Sequence, residues 1–157
     1  MNVDLPTSIS LFSGYGGFDL ALRLAGIESR TVCYVEWDKY CQQVLRQRFQ
    51  DEPSTLDPAP IWDDVREFDG TPWRGRVDIL SASPPCQPYS SAGSRKLDKD
   101  HRNLFPDTLR IVSEIRPRTV YLENVYGLTT KPKDGRPSYI SEIVGRFSEI
   151  GYDCRWN

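Results

Sequence analysis

A chain of 157 residues that is 38% hydrophobic and 27% charged holds one soluble core of ordinary size, with no room for a second. Twenty Lys and Arg against 22 Asp and Glu leave a formal charge of -2, which excludes a whole-molecule positive field; any nucleic-acid contact has to be local. No apolar run reaches the roughly 20 residues of a bilayer span, and the start lacks the basic and apolar regions of a signal peptide, so the chain reads as cytoplasmic.

Taken in order, Ser8-Ile-Ser-Leu-Phe12 predicts a short strand, Ser13-Gly-Tyr-Gly-Gly17 a turn, and Phe18 to Ala25 a helix closed by Gly26. Arg30 to Glu36 is β-branched and aromatic, a second strand, and Asp38 opens a helix with Tyr40, Cys41, Val44, Leu45 and Phe49 on related faces. Residues 51 to 60, with Pro53, Pro58 and Pro60, read as a loop before a short strand end over Ile61 to Val65. Val77 to Ala82 predicts a buried strand stopped by Pro84-Pro85. A polar stretch over 88–103 precedes a helix from Leu104 to Ile115, a strand over Thr119 to Glu123, a helix from Ser138 to Ile150 and the start of a strand over Tyr152 to Trp156, left as an unpaired sheet edge. Strands alternating with helices point to a mostly parallel sheet covered by helices on both faces, with ligands at the carboxyl ends of its strands.

The unusual residues fall at those ends. Gly14, Gly16 and Gly17 stand between a strand and a helix, where a tight structural turn and a ligand-binding loop account for them equally well. The spacing departs from G-x-G-x-x-G, because Asp19 stands where the third glycine belongs. Glu36 follows about 20 residues later, where a carboxylate accepts the hydroxyls of a ribose, and Trp37 beside it is suited to stack on a purine, although Trp at a strand end more often simply packs. One of Asp63 and Asp64 is placed to take an exocyclic amine; for Asp63 a solvated turn acid is the preferred account. Cys86 comes after two prolines at the end of a central strand, and Glu123-Asn124 ends the neighbouring strand, so a thiol and a carboxyl group converge. The cysteines Cys33, Cys41, Cys86 and Cys154 are spaced too widely for a zinc knuckle, and the single His101 cannot complete a Cys/His set, so no metal is expected. One histidine also argues against Ser-His-Asp and Cys-His hydrolases.

Phe12-Ser-Gly-Tyr-Gly-Gly17, Glu36-Trp37, Pro84-Pro85-Cys86-Gln87 and Glu123-Asn124-Val125, in this order and spacing, closely resemble the DNA (cytosine-5)-methyltransferases, from about Ile9 to the last residue. The resemblance implies an α/β, Rossmann-like fold that binds S-adenosylmethionine over the glycine turn. Phe12, Gly14 and Gly16 would lie near its amino-acid and ribose parts and Glu36 on the ribose hydroxyls. Trp37 would face the adenine, Asp64 with Val65 would border its amine, and Pro85 and Leu104 would close the wall. Cys86 would be the nucleophile adding to carbon 6 of a cytosine, Glu123 would hold nitrogen 3 and the exocyclic amine as a buried, proton-sharing acid, and Asn124 would fix the backbone around Pro85. The implied partner is double-stranded DNA with its cytosine flipped out of the stack. The stretch Ser90 to Asn103, with Arg95, Lys96, Lys99, His101 and Arg102, would touch its phosphates.

The family's Gln-x-Arg-x-Arg segment, further strands, target-recognition domain and final helix have no counterpart here. Residues 1–157 therefore read as the amino-terminal portion of the cofactor-binding catalytic domain, with the carboxyl-terminal strands missing. Two expectations follow: a truncated or split enzyme, with absent or very low activity alone and completed by a second chain bringing target recognition, or a noncatalytic remnant retaining at most cofactor binding. A nicotinamide-dependent oxidoreductase would use the glycine turn and Glu36 but leave Cys86 and Glu123 without a task.

Overall fold

The computed structural model of the chain describes residues 5–52, 54–85, 103–130 and 137–156. Strands β1 (Thr7–Leu11), β2 (Arg30–Val35), β3 (Ile61–Trp62), β4 (Ile79–Ala82) and β5 (Thr119–Leu122) form one parallel sheet in the order β3-β2-β1-β4-β5. The helices are α1 (Gly17–Leu24), α2 (Lys39–Arg48), α3 (Phe105–Ile115) and α4 (Tyr139–Glu149). The chain winds outward from β1 through β2 to β3, then crosses back to β4 on the other side of β1. In open parallel sheets that reversal opens a crevice at the carboxyl ends of the two central strands.

Local chemistry sets the helix ends. The Asp38 carboxylate accepts the N–H groups of Tyr40 (2.8 Å) and Cys41 (2.9 Å), capping α2. Arg116 at the end of α3 adopts a left-handed φ of 59°, and Pro117 after it cannot continue a helix. One sheet face is apolar: Ile9, Leu11, Cys33, Val35, Leu80 and Ala82 share a core with Ile111, Val112 and Ile115 of α3 and Ile143 and Phe147 of α4. On the other face Tyr34 packs with Leu45 of α2 and with Leu56, so helices cover both faces as expected.

That second face is polar beneath α1, which the apolar run of β1 did not announce. The register runs Ser8↔Thr31, then Ile9↔Cys33, leaving Val32 as an extra residue in β2. The bulge brings the Thr31 and Ser8 hydroxyls within 3.1 Å. Ser10 Oγ and Thr31 Oγ1 donate to the two Asp19 carboxylate oxygens at 2.8 and 3.0 Å. Burial pushes the Asp19 carboxyl above its ordinary range, outweighing those two hydroxyls. The folded protein therefore keeps that proton where the unfolded chain has lost it, and the group's contribution to stability falls as pH rises from the usual carboxylate range through the folded value. Asp19→Asn carries no such charge. Relative to the parent it is expected to gain stability as pH rises above the usual carboxylate range in urea denaturation; a pH-independent difference would show that Asp19 is not the group responsible.

Two strand expectations are corrected. The third strand ends at Trp62 rather than Val65, because the Asp64 carboxylate accepts the Arg66 N–H at 3.0 Å and turns the chain. Residues 152–156 form no strand: the Tyr152 hydroxyl donates to the Pro117 carbonyl at 2.6 Å, and its ring packs edge-on against Phe147 beneath the Arg116 guanidinium. Side-chain anchoring holds the segment where a ladder was expected. Among the described residues no helix is long and apolar enough to cross a membrane.

Candidate active site

The crevice is built from the turn that follows β1. Phe12 takes a φ of 55°, a left-handed conformation that bulky residues rarely adopt and that here belongs to the cleft wall. The Ser13 hydroxyl donates to the Ser10 carbonyl (2.8 Å) and its N–H to the Val35 carbonyl (3.2 Å), tying the turn to both strands. The Gly14 N–H then donates to Glu36 Oε2 at 2.7 Å, and the Asp38 N–H donates to Oε1 at 2.7 Å. Glu36 is buried. Its carboxylate is wedged between the glycine turn and the start of α2, and each oxygen, holding one N–H, keeps a lone pair for a further donor.

Gly16 does a different job. Its φ of 76° opens α1, and a Cβ there would overlap Leu56 Cδ1. Neither Gly14 nor Gly16 lines the cleft: the missing side chain of Gly16 serves helix–loop packing, while Gly14 reaches the site through its N–H on the Glu36 carboxylate. Gly16→Ala combines a left-handed penalty with overpacking and is expected to cost about 2–4 kcal/mol of stability in denaturant titration. An unchanged midpoint would show that Leu56 swings aside freely.

A cleft of about 550 Å³ runs from this turn along the strand ends. Its wall brings together Phe12, Glu36, Trp37, Asp64, Val65, Pro85 and Leu104, from four strand ends and the start of α3, with Val35, Asp63, Arg66 and Ser83 beside them. Trp37 is 66% exposed, so much of its indole is open. Asp63 is engaged by Lys39 Nζ (2.6 Å) and Gln42 Nε2 (2.8 Å), which hold its carboxyl below the usual range. Asp64 is bound by Arg66, with the same effect.

Two residues here escaped the sequence reading. Gln42 is 2% exposed and its amide also donates to the Glu36 carbonyl at 2.7 Å, joining α2 to the ends of β2 and β3. The signal was its helical spacing from Leu45 and Phe49, obscured by the more apolar Tyr40, which is exposed and stands edge-on to Tyr15. Arg66 sits 5.4 Å from the Trp37 ring centroid.

Cys86 lies outside the described residues, as does the basic stretch to Arg102; Pro85, its neighbour in sequence, lines the cleft. On the adjoining strand the Glu123 N–H donates to the Ala82 carbonyl at 3.0 Å and Asn124 Oδ1 accepts the Val125 N–H at 2.8 Å. Pairing of Ala82 with Leu122 sets Ser83–Pro85 beside Glu123-Asn124. The expected burial of Glu123 is not met: it is exposed, at the end of an edge strand. Cys33 is a core residue whose thiol burial pushes up to about 11, and burial also raises Cys41 and Cys154. No group of metal-ligating side chains occurs among the described residues.

Residues 7–157 match the model of the C-5 cytosine-specific DNA methylase family. The chain belongs to this family. Type II methyltransferase M.NgoMIV of Neisseria gonorrhoeae is 32% identical over 154 residues, covering 96% of this chain and 44% of the relative. M.HhaI of Haemophilus parahaemolyticus is 40% identical over 118 residues, 74% of this chain and 33% of the relative. The chain thus spans a third to under half of the relatives' lengths. The crystal structure of Schizosaccharomyces pombe Dnmt2 methyltransferase superposes with a TM-score of 0.67 at 21% identity, over 94% of this chain and 43% of that one, a likeness of fold.

Proposed function

We propose that these residues form the cofactor-binding and nucleophile-bearing part of a DNA (cytosine-5)-methyltransferase, with S-adenosylmethionine in the cleft. The observation that carries this reading is the Glu36 carboxylate: anchored by two N–H groups at one end of the cleft, it retains acceptors for two ribose hydroxyls. The volume of about 550 Å³ falls within the roughly 300–1,000 Å³ of small-molecule sites. Trp37, Val65, Pro85 and Leu104 supply apolar walls for a purine, and Asp64 an acceptor for its amine.

When bound, the cofactor supplies a methyl group already activated by its sulfonium. The Cys86 thiolate adds to carbon 6 of the cytosine, which makes carbon 5 nucleophilic. Glu123 shares a proton with ring nitrogen 3 as negative charge develops there, and Asn124 holds the strand end beside Pro84-Pro85. Once carbon 5 has taken the methyl group, loss of its proton expels the Cys86 thiolate from carbon 6 and restores the ring. The target base must leave the duplex to reach these groups. The part of its relatives that this chain does not span would bring target recognition, and its cover would bury Glu123.

The test is calorimetric titration with S-adenosylmethionine and its demethylated product S-adenosylhomocysteine, with NADH as the competing class of ligand. Saturable binding of the first two, without NADH binding, is expected. Binding of NADH alone, or of nothing at millimolar ligand, would remove the assignment.

A further inference from the structure

Arg66 is the one cation on the cleft wall among the described residues. Its Nε donates to both Asp64 carboxylate oxygens (3.0 and 3.1 Å), its Nη2 to Oδ2 (2.7 Å), and its backbone N–H to Oδ1 (3.0 Å). The same guanidinium lies over the Trp37 ring. The backbone bond alone would make the local turn; the fork and the stacking are additional. Exposed ion pairs contribute little to stability, so a half-exposed arginine held at two places points to orientation of what it touches.

On the functional reading above, we propose that Arg66 is a positioning residue for the purine end of the cleft, setting the Asp64 carboxylate and the Trp37 indole for a base that carries an exocyclic amine. A carboxylate held by a guanidinium fork offers acceptors and no donor. It matches an amine at the purine 6-position and opposes a keto oxygen there. Trp37, 66% exposed, keeps ring surface open to the base while Arg66 restrains it. Lysine cannot reproduce the two-point grip, since its ammonium is a single point charge.

The experiment is titration of wild type, Arg66→Ala and Arg66→Lys with S-adenosylhomocysteine and with its 6-deamino analogue, in which hydrogen replaces the amine. Arg66→Ala is expected to weaken S-adenosylhomocysteine binding about tenfold and the deamino analogue less than about threefold, with Arg66→Lys in between. In an Asp64→Ala background the Arg66→Ala change should shrink to less than about twofold, because its target is gone. Equal losses on both ligands would show a merely structural role and overturn the proposal. So would unchanged or tighter binding by Arg66→Ala, the latter meaning that Arg66 obstructs the site. If wild type binds neither ligand, the functional reading falls and this one with it; if wild type binds and Arg66→Ala is indifferent, only this one falls.

Discussion

Glu36→Ala is expected to weaken S-adenosylmethionine binding at least about a hundredfold, the larger of the two losses that leave DNA chemistry aside. A hundredfold is about 2.7 kcal/mol, and hydrogen bonds to a charged group contribute about 1.5–3 kcal/mol each, so losing two ribose contacts suffices. The substitution also strips the Gly14 and Asp38 N–H groups of their acceptor, loosening the glycine turn and the entry to α2 together. Leaving those donors unmet costs about 1–3 kcal/mol apiece, so denaturant titration should show a loss of about 2 kcal/mol or more. Glu36→Gln separates the effects: it keeps one acceptor but turns an NH₂ group toward a backbone N–H, and should lose affinity while retaining more stability than alanine. Full affinity in Glu36→Ala would mean that the ribose is held elsewhere and would remove the observation on which the cofactor assignment rests.

The elements that define this cleft were legible because their signals are local. β1, β2 and β4 are short apolar runs ended by a glycine turn, an acid and a proline pair, and a parallel sheet puts such punctuation at one edge. The reasons for individual residues were not local. Gly16 faces Leu56, forty positions away, so the sequence shows three similar glycines where the fold assigns two different tasks. Gln42 looks like a surface residue until β3 delivers Asp63 to it. Arg66 stands in the charged run Asp63-Asp64-Val65-Arg66-Glu67, where its grip on Asp64 and Trp37 cannot be told from solvation. Ser8 and Ser10 stand in a run that the sequence shows only as a short strand, yet the bulge at Val32 makes them half of a buried network closed by Asp19. Tyr152 to Trp156 has strand composition, and a side-chain anchor overrides it. Most of these tasks are set by contacts distant in sequence, such as Gly16 with Leu56, Gln42 with Asp63 and Tyr152 with Pro117.

Cys86→Ala should abolish methyl transfer to DNA while leaving cofactor affinity within about twofold, a separation that follows from the chemistry of covalent catalysis. The cleft wall closest to it in sequence is Pro85, and the side chains proposed to hold the cofactor, Phe12, Glu36, Trp37, Asp64, Val65 and Leu104, line the cleft with it and are unaltered by the substitution. Without a thiolate at carbon 6, carbon 5 remains part of an aromatic ring and cannot attack a methyl group. Cys86→Ser should fare little better, because a hydroxyl is far harder to ionise than a thiol. The assay needs the chain together with a protein segment equivalent to the part of its relatives that it does not span, and DNA with either cytosine or 5-fluorocytosine at the target. Fluorine at carbon 5 blocks the proton loss that frees the enzyme, so wild type should accumulate a sulfur–carbon adduct visible by denaturing electrophoresis, and Cys86→Ala none. An adduct or methyl transfer in Cys86→Ala would place the nucleophile elsewhere. Wild-type cofactor binding without any transfer in the complete mixture would instead favour a chain that keeps its cleft and has left the reaction behind.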